Sequence, residues 1–191
     1  LLLGHLLLLL LLLRRQCSCM ATFSAPQNPP EWPKSVRVYK PNMQTADIEA
    51  DAKATTSRLV DRHTGHFSSE RYALLFTPGE YKNISVEVGY YVQVLGLGLN
   101  ADDVRFSGGG GRGVFVEAMD QREGGAGSLD TFWRSAENFW QDVTGDATNT
   151  SNASNAAGLL WAVSQAAPLR RVRVTGDLQL SQPPYYASGG F

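Results

Sequence analysis

The stretch Ala73–Leu99, ALLFTPGEYKNISVEVGYYVQVLGLGL, decides how the rest of the chain is read. It runs as a strand, a Pro78-Gly79 turn closed by Tyr81, then more short strands punctuated by Gly89, Gly96 and Gly98. Proline presets φ and glycine supplies the positive φ a tight turn needs, so the Pro-Gly pair marks a chain reversal or corner. Upstream, Thr45–Val60 carries Ile48, Ala52, Thr55 or Thr56 and Leu59 at helical spacing, the thin apolar stripe of a helix lying on the end of a sheet. Thr45 is placed to cap it, Asp47 and Glu49 favour its first-turn dipole, and Gly65 ends it.

Downstream the period changes from 3.6 to 2. After Val36–Val38, strands are expected at Tyr72–Phe76, Ile84–Val88, Tyr91–Leu95, Val104–Phe106 and Val114–Glu117. Four more are expected at Glu137–Val143, Leu160–Val163, Arg170–Val174 and Leu178–Leu180. Few are joined by two-residue hairpin turns, and gaps of this kind suit corners between parallel strands better than a meander. The expected fold is all-β: the N-terminal coils of a right-handed parallel β-helix, with one capping α-helix before them. A β-sandwich is the structural alternative. Residues 1–21 read as a signal-peptide-like leader, 22–34 as a Pro-rich linker, and 35–191 as the N-terminal part of the β-helix domain, truncated at its C-terminus.

Eleven of the first 13 residues are Leu, a run too short to span a bilayer and right for the apolar core of a secretory leader. Arg14 and Arg15 follow that run instead of preceding it, so an alternative start at Met20 stays open. Both cysteines, Cys17 and Cys19, lie in the leader, which leaves the body without a disulfide framework or a thiolate metal site. A net charge of −1 provides no global attraction to nucleic acid or acidic membranes. The expectation is therefore a secreted, extracellular protein with no metal and no cofactor, no nucleic-acid or nucleotide partner and no stable membrane insertion. Sequons at Asn83, Asn149 and Asn152 are candidate glycosylation sites.

The blocks RYALLFTPGEY, VGYYVQVLGLG, FWRSAENF and WAVSQAAPLRRVRVTGDLQL resemble the pectate-lyase-like superfamily. More closely, they are similar to secreted microbial β-helix proteins, some of which have been called adenylyl cyclases. The resemblance covers about Trp32–Phe191. It implies a partner that is an extracellular polysaccharide, bound and possibly cleaved by a hydrolase or lyase mechanism. The alternative is a non-catalytic solenoid for adhesion or wall structure.

Against that background several residue sets invite a functional reading. Gly96-x-Gly98-x-x-Ala101 formally matches a dinucleotide fingerprint, but that chemistry needs a helix N-terminus behind it, and Asp102 and Asp103 there would repel phosphate. Trp133 is a candidate stacking platform for a sugar ring, with Arg134 and Asn138 as flanking polar groups, while Phe139 and Trp161 read as core. Arg171 and Arg173 alternate outward on one strand with Val172 and Val174 inward, a possible ladder for acidic sugars. Glu137 is the one carboxylate singled out as a weak catalytic candidate, with an ion pair to Arg134 as its plainer role. Glycosidic hydrolysis needs two carboxyls, and the partner of Glu137 is not readable from spacing.

Overall fold

In the computed structural model the described residues are 31–117, 130–144 and 157–181. All but Glu31 fall in a compact unit, Trp32–Phe191. The unit holds β1 (Val36–Tyr39), helix α1 (Thr45–Val60), a one-turn helix α2 (Arg62–Gly65), then β2 (Tyr72–Phe76), β3 (Gly79–Lys82), β4 (Ser85–Glu87) and β5 (Val92–Gly96). A one-turn 3-10 helix (Ala101–Asp103) precedes β6 (Val104–Gly108) and β7 (Gly113–Phe115). The last strands are β8 (Ser135–Val143), β9 (Gly158–Leu160), β10 (Leu169–Val174) and β11 (Asp177–Gln179).

Every strand pair among the described residues is parallel. The main sheet has seven strands in the order β1-β2-β5-β8-β6-β3, with β10 also paired to β8. Two further two-stranded sheets, β4-β7 and β9-β11, complete the set. Nine-residue β8 joins the flanks of the main sheet: Ser135, Ala136 and Glu137 pair with β5, while Trp140–Val143 pair with β6. Between its halves Asn138 takes φ 62°, and the neighbouring β10 bends at Arg171 with φ 55°. Left-handed residues at adjacent positions turn both strands through the same corner, and asparagine tolerates that conformation better than most.

The right-handed parallel β-helix of pectate-lyase type is therefore corrected to a parallel half-barrel sheet with few helices. Strand rhythm reports parallel neighbours separated by corners, and the sequence carries that signal well. It does not report how the faces join. Here β8 runs unbroken through the corner and fuses two flanks into one curved sheet.

The core lies inside this curve. Tyr39, Phe76, Tyr81, Phe106 and Phe139 are all nearly or fully buried and packed in sequence. Phe76 meets Tyr81 edge-on at 5.0 Å and Phe106 at 4.9 Å, and Phe106 meets Phe139 at 5.2 Å, edge-to-face arrangements that aromatic quadrupoles favour. The FTPGEY segment is thus a core feature. Its Tyr81 hydroxyl donates to the carbonyls of Thr77 (2.8 Å) and Tyr39 (3.0 Å), closing the turn, and Gly79-Glu80-Tyr81-Lys82 is itself the strand β3.

Helix α1 buries Ile48, Ala52, Thr55, Thr56 and Leu59, the stripe its spacing predicts. Its N-cap is Gln44, and Thr45 instead donates its hydroxyl to the carbonyl of Lys82 at 3.2 Å. Glu49 accepts the amide of Ser85 at 2.7 Å, so the helix supplies a partner to the first amide of β4. At Val60 the helix ends, and Asp61 caps α2 by accepting the amides of His63 and Thr64.

Candidate functional site

The register of the sheet assembles the most distinctive surface of the protein. Tyr72 pairs with Val92, Gln93 with Ser135, and Ala136 with Leu169. Followed back to the corner before each strand, this register sets Arg71, Tyr91, Trp133 and Ala166 side by side in one column. Tyr91, Trp133 and Ala166 have φ of 58°, 50° and 49°, and the Tyr91 amide donates to the Trp133 carbonyl at 2.6 Å. The Arg71 guanidinium lies 3.6 Å over the Tyr91 ring, and Tyr91 stacks on Trp133 with centroids 5.5 Å apart and planes 7° from parallel.

Neighbouring elements brace this stack. The Tyr91 hydroxyl donates to the His66 carbonyl at 2.7 Å, and the His66 ring lies 5.3 Å from Trp133, with Phe67 84% exposed beside it. Two residues further on, a second column of Gln93, Ser135 and Pro168 follows the same register. Together the columns border an open cleft of about 330 Å³, at the lower end of the size range of small-molecule sites. Trp133 keeps 37% of its surface exposed there. A larger hollow of about 570 Å³ adjoins it at Ala166 and Pro168, walled by Trp161, Leu169, Leu178 and Leu180.

The structure distributes the remaining candidates differently. Arg134 turns inward and is only 3% exposed, donating to the carbonyls of Val88 (2.6 Å) and Phe132 (3.1 Å) and lying 4.6 Å over Tyr90. Burial pulls its pKa down to about 10. It braces the rear of the column and contributes to the lining of the cleft. Asn138 is buried as well, and its amide donates to the carbonyls of Gly96 and Gly98, both at 2.8 Å. The Gly96-x-Gly98 turn is accordingly shaped for close packing: a Cβ on Gly96 would lie 2.0 Å from the Asn138 carbonyl oxygen.

Glu137 pairs with Arg170 at 2.5 Å, not with Arg134. Arg171 donates to the Leu99 carbonyl, and Arg173 binds Asp102 at 2.8 Å while covering one side of Trp140. Val172 and Val174 pack on the core as their alternation predicts. These arginines are outward, yet both are already engaged. Asn83 is an exposed corner residue with φ 56° whose side-chain oxygen accepts the Gly110 amide. Asn149 and Asn152 lie outside the described residues.

Carboxylates of the outer face form ion pairs. Arg105 bridges Glu80 and Asp142 and stacks on Trp140 at 4.4 Å. The Arg105 hydrogen bond holds the Asp142 carboxyl below its ordinary range, and the Ser107 hydroxyl, helped by Lys82 and Arg105, does the same for Glu80. A general acid needs the opposite displacement, so neither is tuned to donate a proton near neutral pH. Among the described residues no three His, Cys, Asp or Glu side chains converge as a metal site.

Sequence reasoning singled out Trp133 but missed its partners. Tyr91, Arg71 and Ala166 are remote in sequence, and only the strand register brings them into one column.

Fold and site together define a parallel β half-barrel with an aromatic cleft on its surface. Known proteins share most of this chain. The chain is 39% identical over 158 residues to an exo-beta-1,3-glucanase of Streptomyces sp. (strain SirexAA-E / ActE), a match spanning 82% of this chain and 22% of that protein. The solved structure of sacteLam55A from Streptomyces sp. SirexAA-E superposes with a TM-score of 0.66 at 34% identity, covering 84% of this chain and 25% of that one. An ensemble refinement of a sacteLam55A variant in complex with glucose gives a TM-score of 0.65 at the same identity and coverage. The chain thus spans about a quarter or less of the length of these relatives. No family model matches it. The expected kinship with pectate-lyase-like proteins is overturned by these relatives, whose likeness extends over more than four-fifths of the chain.

Proposed function

We propose that this protein acts on β-1,3-glucan, with this chain supplying a glucan-binding surface to a glycoside hydrolase of the exo-acting kind. The observation that carries the reading is the likeness to an exo-beta-1,3-glucanase across 82% of the chain. The aromatic cleft at Tyr91 and Trp133 supports it, because sugar C–H faces bury against aromatic rings while the hydroxyls find polar partners at the rim.

Affinity electrophoresis in gels containing laminarin, with xylan as the control polymer, tests the binding half. Retardation by laminarin alone is expected, and equal mobility in both gels refutes it. Release of glucose from laminarin tests the cleavage half. One observation favours a purely binding role in adhesion or wall structure: the residues lining the aromatic cleft include no carboxylate among those described. Laminarin retention without any released glucose would select that role.

We also propose that the protein is secreted, on the strength of the leucine-rich leader. Expression in a secretory eukaryotic host, followed by intact mass and peptide mapping of Asn83, Asn149 and Asn152, checks it. Protein retained inside the cell and free of glycan would count against secretion.

A further inference from the structure

The column of stacked side chains is incomplete, and the missing rung has a definite shape. Arg71, Tyr91 and Trp133 occupy three successive positions, each lying on the next. Ala166 occupies the fourth position in the same left-handed conformation as Tyr91 and Trp133. A methyl group cannot reach across the face of an indole. Successive parallel strands lie about 4.8 Å apart, which is also close to a ring-stacking distance. The cleft of about 330 Å³ opens beside this position, bordered by Trp133, Ala166 and Pro168, with room for a ring at the fourth rung.

We infer that the niche left by Ala166 is a pyranose subsite, in which one β-linked glucosyl ring takes the vacant place in the Arg71–Tyr91–Trp133 stack. The inference rests on the glucan reading above for the identity of the sugar, and on the geometry of the column for its position. A β-glucopyranosyl ring fits because its hydroxyls are equatorial, which leaves axial C–H bonds on both faces to meet the indole. The neighbouring column places the amide of Gln93 and the hydroxyl of Ser135 along the edge of the same cleft, where ring hydroxyls would lie.

The backbone argues in the same direction. Left-handed φ at a bulky Tyr or Trp is uncommon and strained. Here two such residues share a register position and point their rings into one stack. Glycine would serve that corner without strain, so a fold needing only the corner has a cheaper solution. Presenting a flat, braced ring at the mouth of a cleft gives the two aromatic residues a purpose that the corner does not.

The experiment is a titration of the purified chain with laminarihexaose, followed by tryptophan fluorescence and by calorimetry, with xylohexaose in parallel. Three variants are compared. Ala166→Trp fills the niche with a ring, Trp133→Ala removes the floor, and Lys53→Ala, at an exposed position of helix α1 that lines neither cleft, is the control. Thermal melts establish that each is folded. The expected result is weakening by about tenfold or more for Ala166→Trp and Trp133→Ala, with Lys53→Ala binding as the parent does. Should the parent bind laminarihexaose while a folded Ala166→Trp binds it equally, the subsite is wrong and the glucan reading survives. If the parent instead prefers xylohexaose, and Ala166→Trp abolishes that, the niche stands and the β-1,3-glucan assignment falls. Failure of the parent to bind either sugar overturns both.

Discussion

Replacing Gln141 by methionine should cost this fold about 3 kcal/mol, although it removes almost no volume. Gln141 is fully buried in β8. Its side-chain oxygen accepts the amide of Val114 at 2.9 Å, and its side-chain nitrogen donates to the carbonyls of Arg112 (2.9 Å), Val114 (3.1 Å) and Gly158 (3.1 Å). One side chain thereby ties β8 to the two small sheets through β7 and β9. Methionine matches glutamine in length and flexibility, so the cavity contribution is small. What remains is polar. The buried Val114 amide loses its acceptor, which costs about 1–3 kcal/mol. Three carbonyls lose a donor, each a bond worth about 0.5–1.5 kcal/mol net, reduced where a second lone pair keeps another partner. At about 2–4 °C per kcal/mol for a chain of this size, the melting temperature should fall by about 6–12 °C. Guanidinium unfolding followed by circular dichroism measures the free energy directly. Gly113→Ala provides a coupled check, since its Cβ would lie 2.4 Å from the Gln141 side-chain oxygen at φ +65°. Because the two sites touch, the double variant should lose less than the sum of the single losses. A loss under about 1 kcal/mol for Gln141→Met, with additive behaviour in the double variant, would refute the claim that this amide joins the sheets.

The corner at Asn138 yields a graded test: Asn138→Gly keeps the left-handed backbone but loses both bonds to Gly96 and Gly98, while Asn138→Ala loses bonds and conformation together. Denaturation should place the alanine variant below the glycine variant, and the reverse order would sink the corner argument. Gly96→Ala should yield little folded protein, because backbone carbonyl, not a flexible side-chain tip, occupies the space of the new methyl; wild-type expression and melting would contradict this. Alkaline pH should also unfold the protein. Burial pushes the Tyr90 hydroxyl up to about 12 and raises Tyr39 and Tyr81 too, so their stabilisation is intact below about pH 10 and lost as pH climbs through the folded values. Arg134, pulled down to about 10 by burial, acts in the opposite sense, but one guanidinium faces three phenols. Denaturation midpoints that hold steady from about pH 9 to 12 would show that the phenols are not excluded from water.

Much of the fold was legible in the chain. Helix α1 and strand β2 fall on their expected residues, and the buried stripe of the helix is the one its spacing marks. Strand β3 was hidden because Pro78-Gly79 announces a turn so strongly that the four residues after Pro78 read as its far side. The joining of the two flanks through β8 was hidden for another reason: corner and strand are written in the same residues, and the doublets Glu137-Asn138 and Phe139-Trp140 that break the alternation carry no Gly or Pro to mark a corner. Charges misled in a consistent way. Glu137 and Arg134 are close in sequence, yet one points out to Arg170 and the other inward to the carbonyls of Val88 and Phe132. Three residues apart on one extended stretch, they take opposite faces by simple alternation, and the left-handed residues that interrupt the pleat, Trp133 and Asn138, lie on either side of that stretch.

That same interruption makes the candidate site possible. Along an uninterrupted strand, Tyr91 and Trp133 would alternate between core and solvent with their neighbours, and their rings would stand perpendicular to the sheet, unsupported. A left-handed residue at the strand entrance redirects the side chain along the corner, where the next strand carries its equivalent one rung away. Stacking then propagates from rung to rung, from Arg71 to Tyr91 to Trp133, and each ring is held by the last. The strain at two corners is offset by the stack itself, by the 2.6 Å bond from the Tyr91 amide to the Trp133 carbonyl and by the buried Arg134 behind it. The consequence is rigidity at the open end. Trp133 can offer a flat face to a ligand without losing rotamer freedom on binding, because that freedom was surrendered when the column formed.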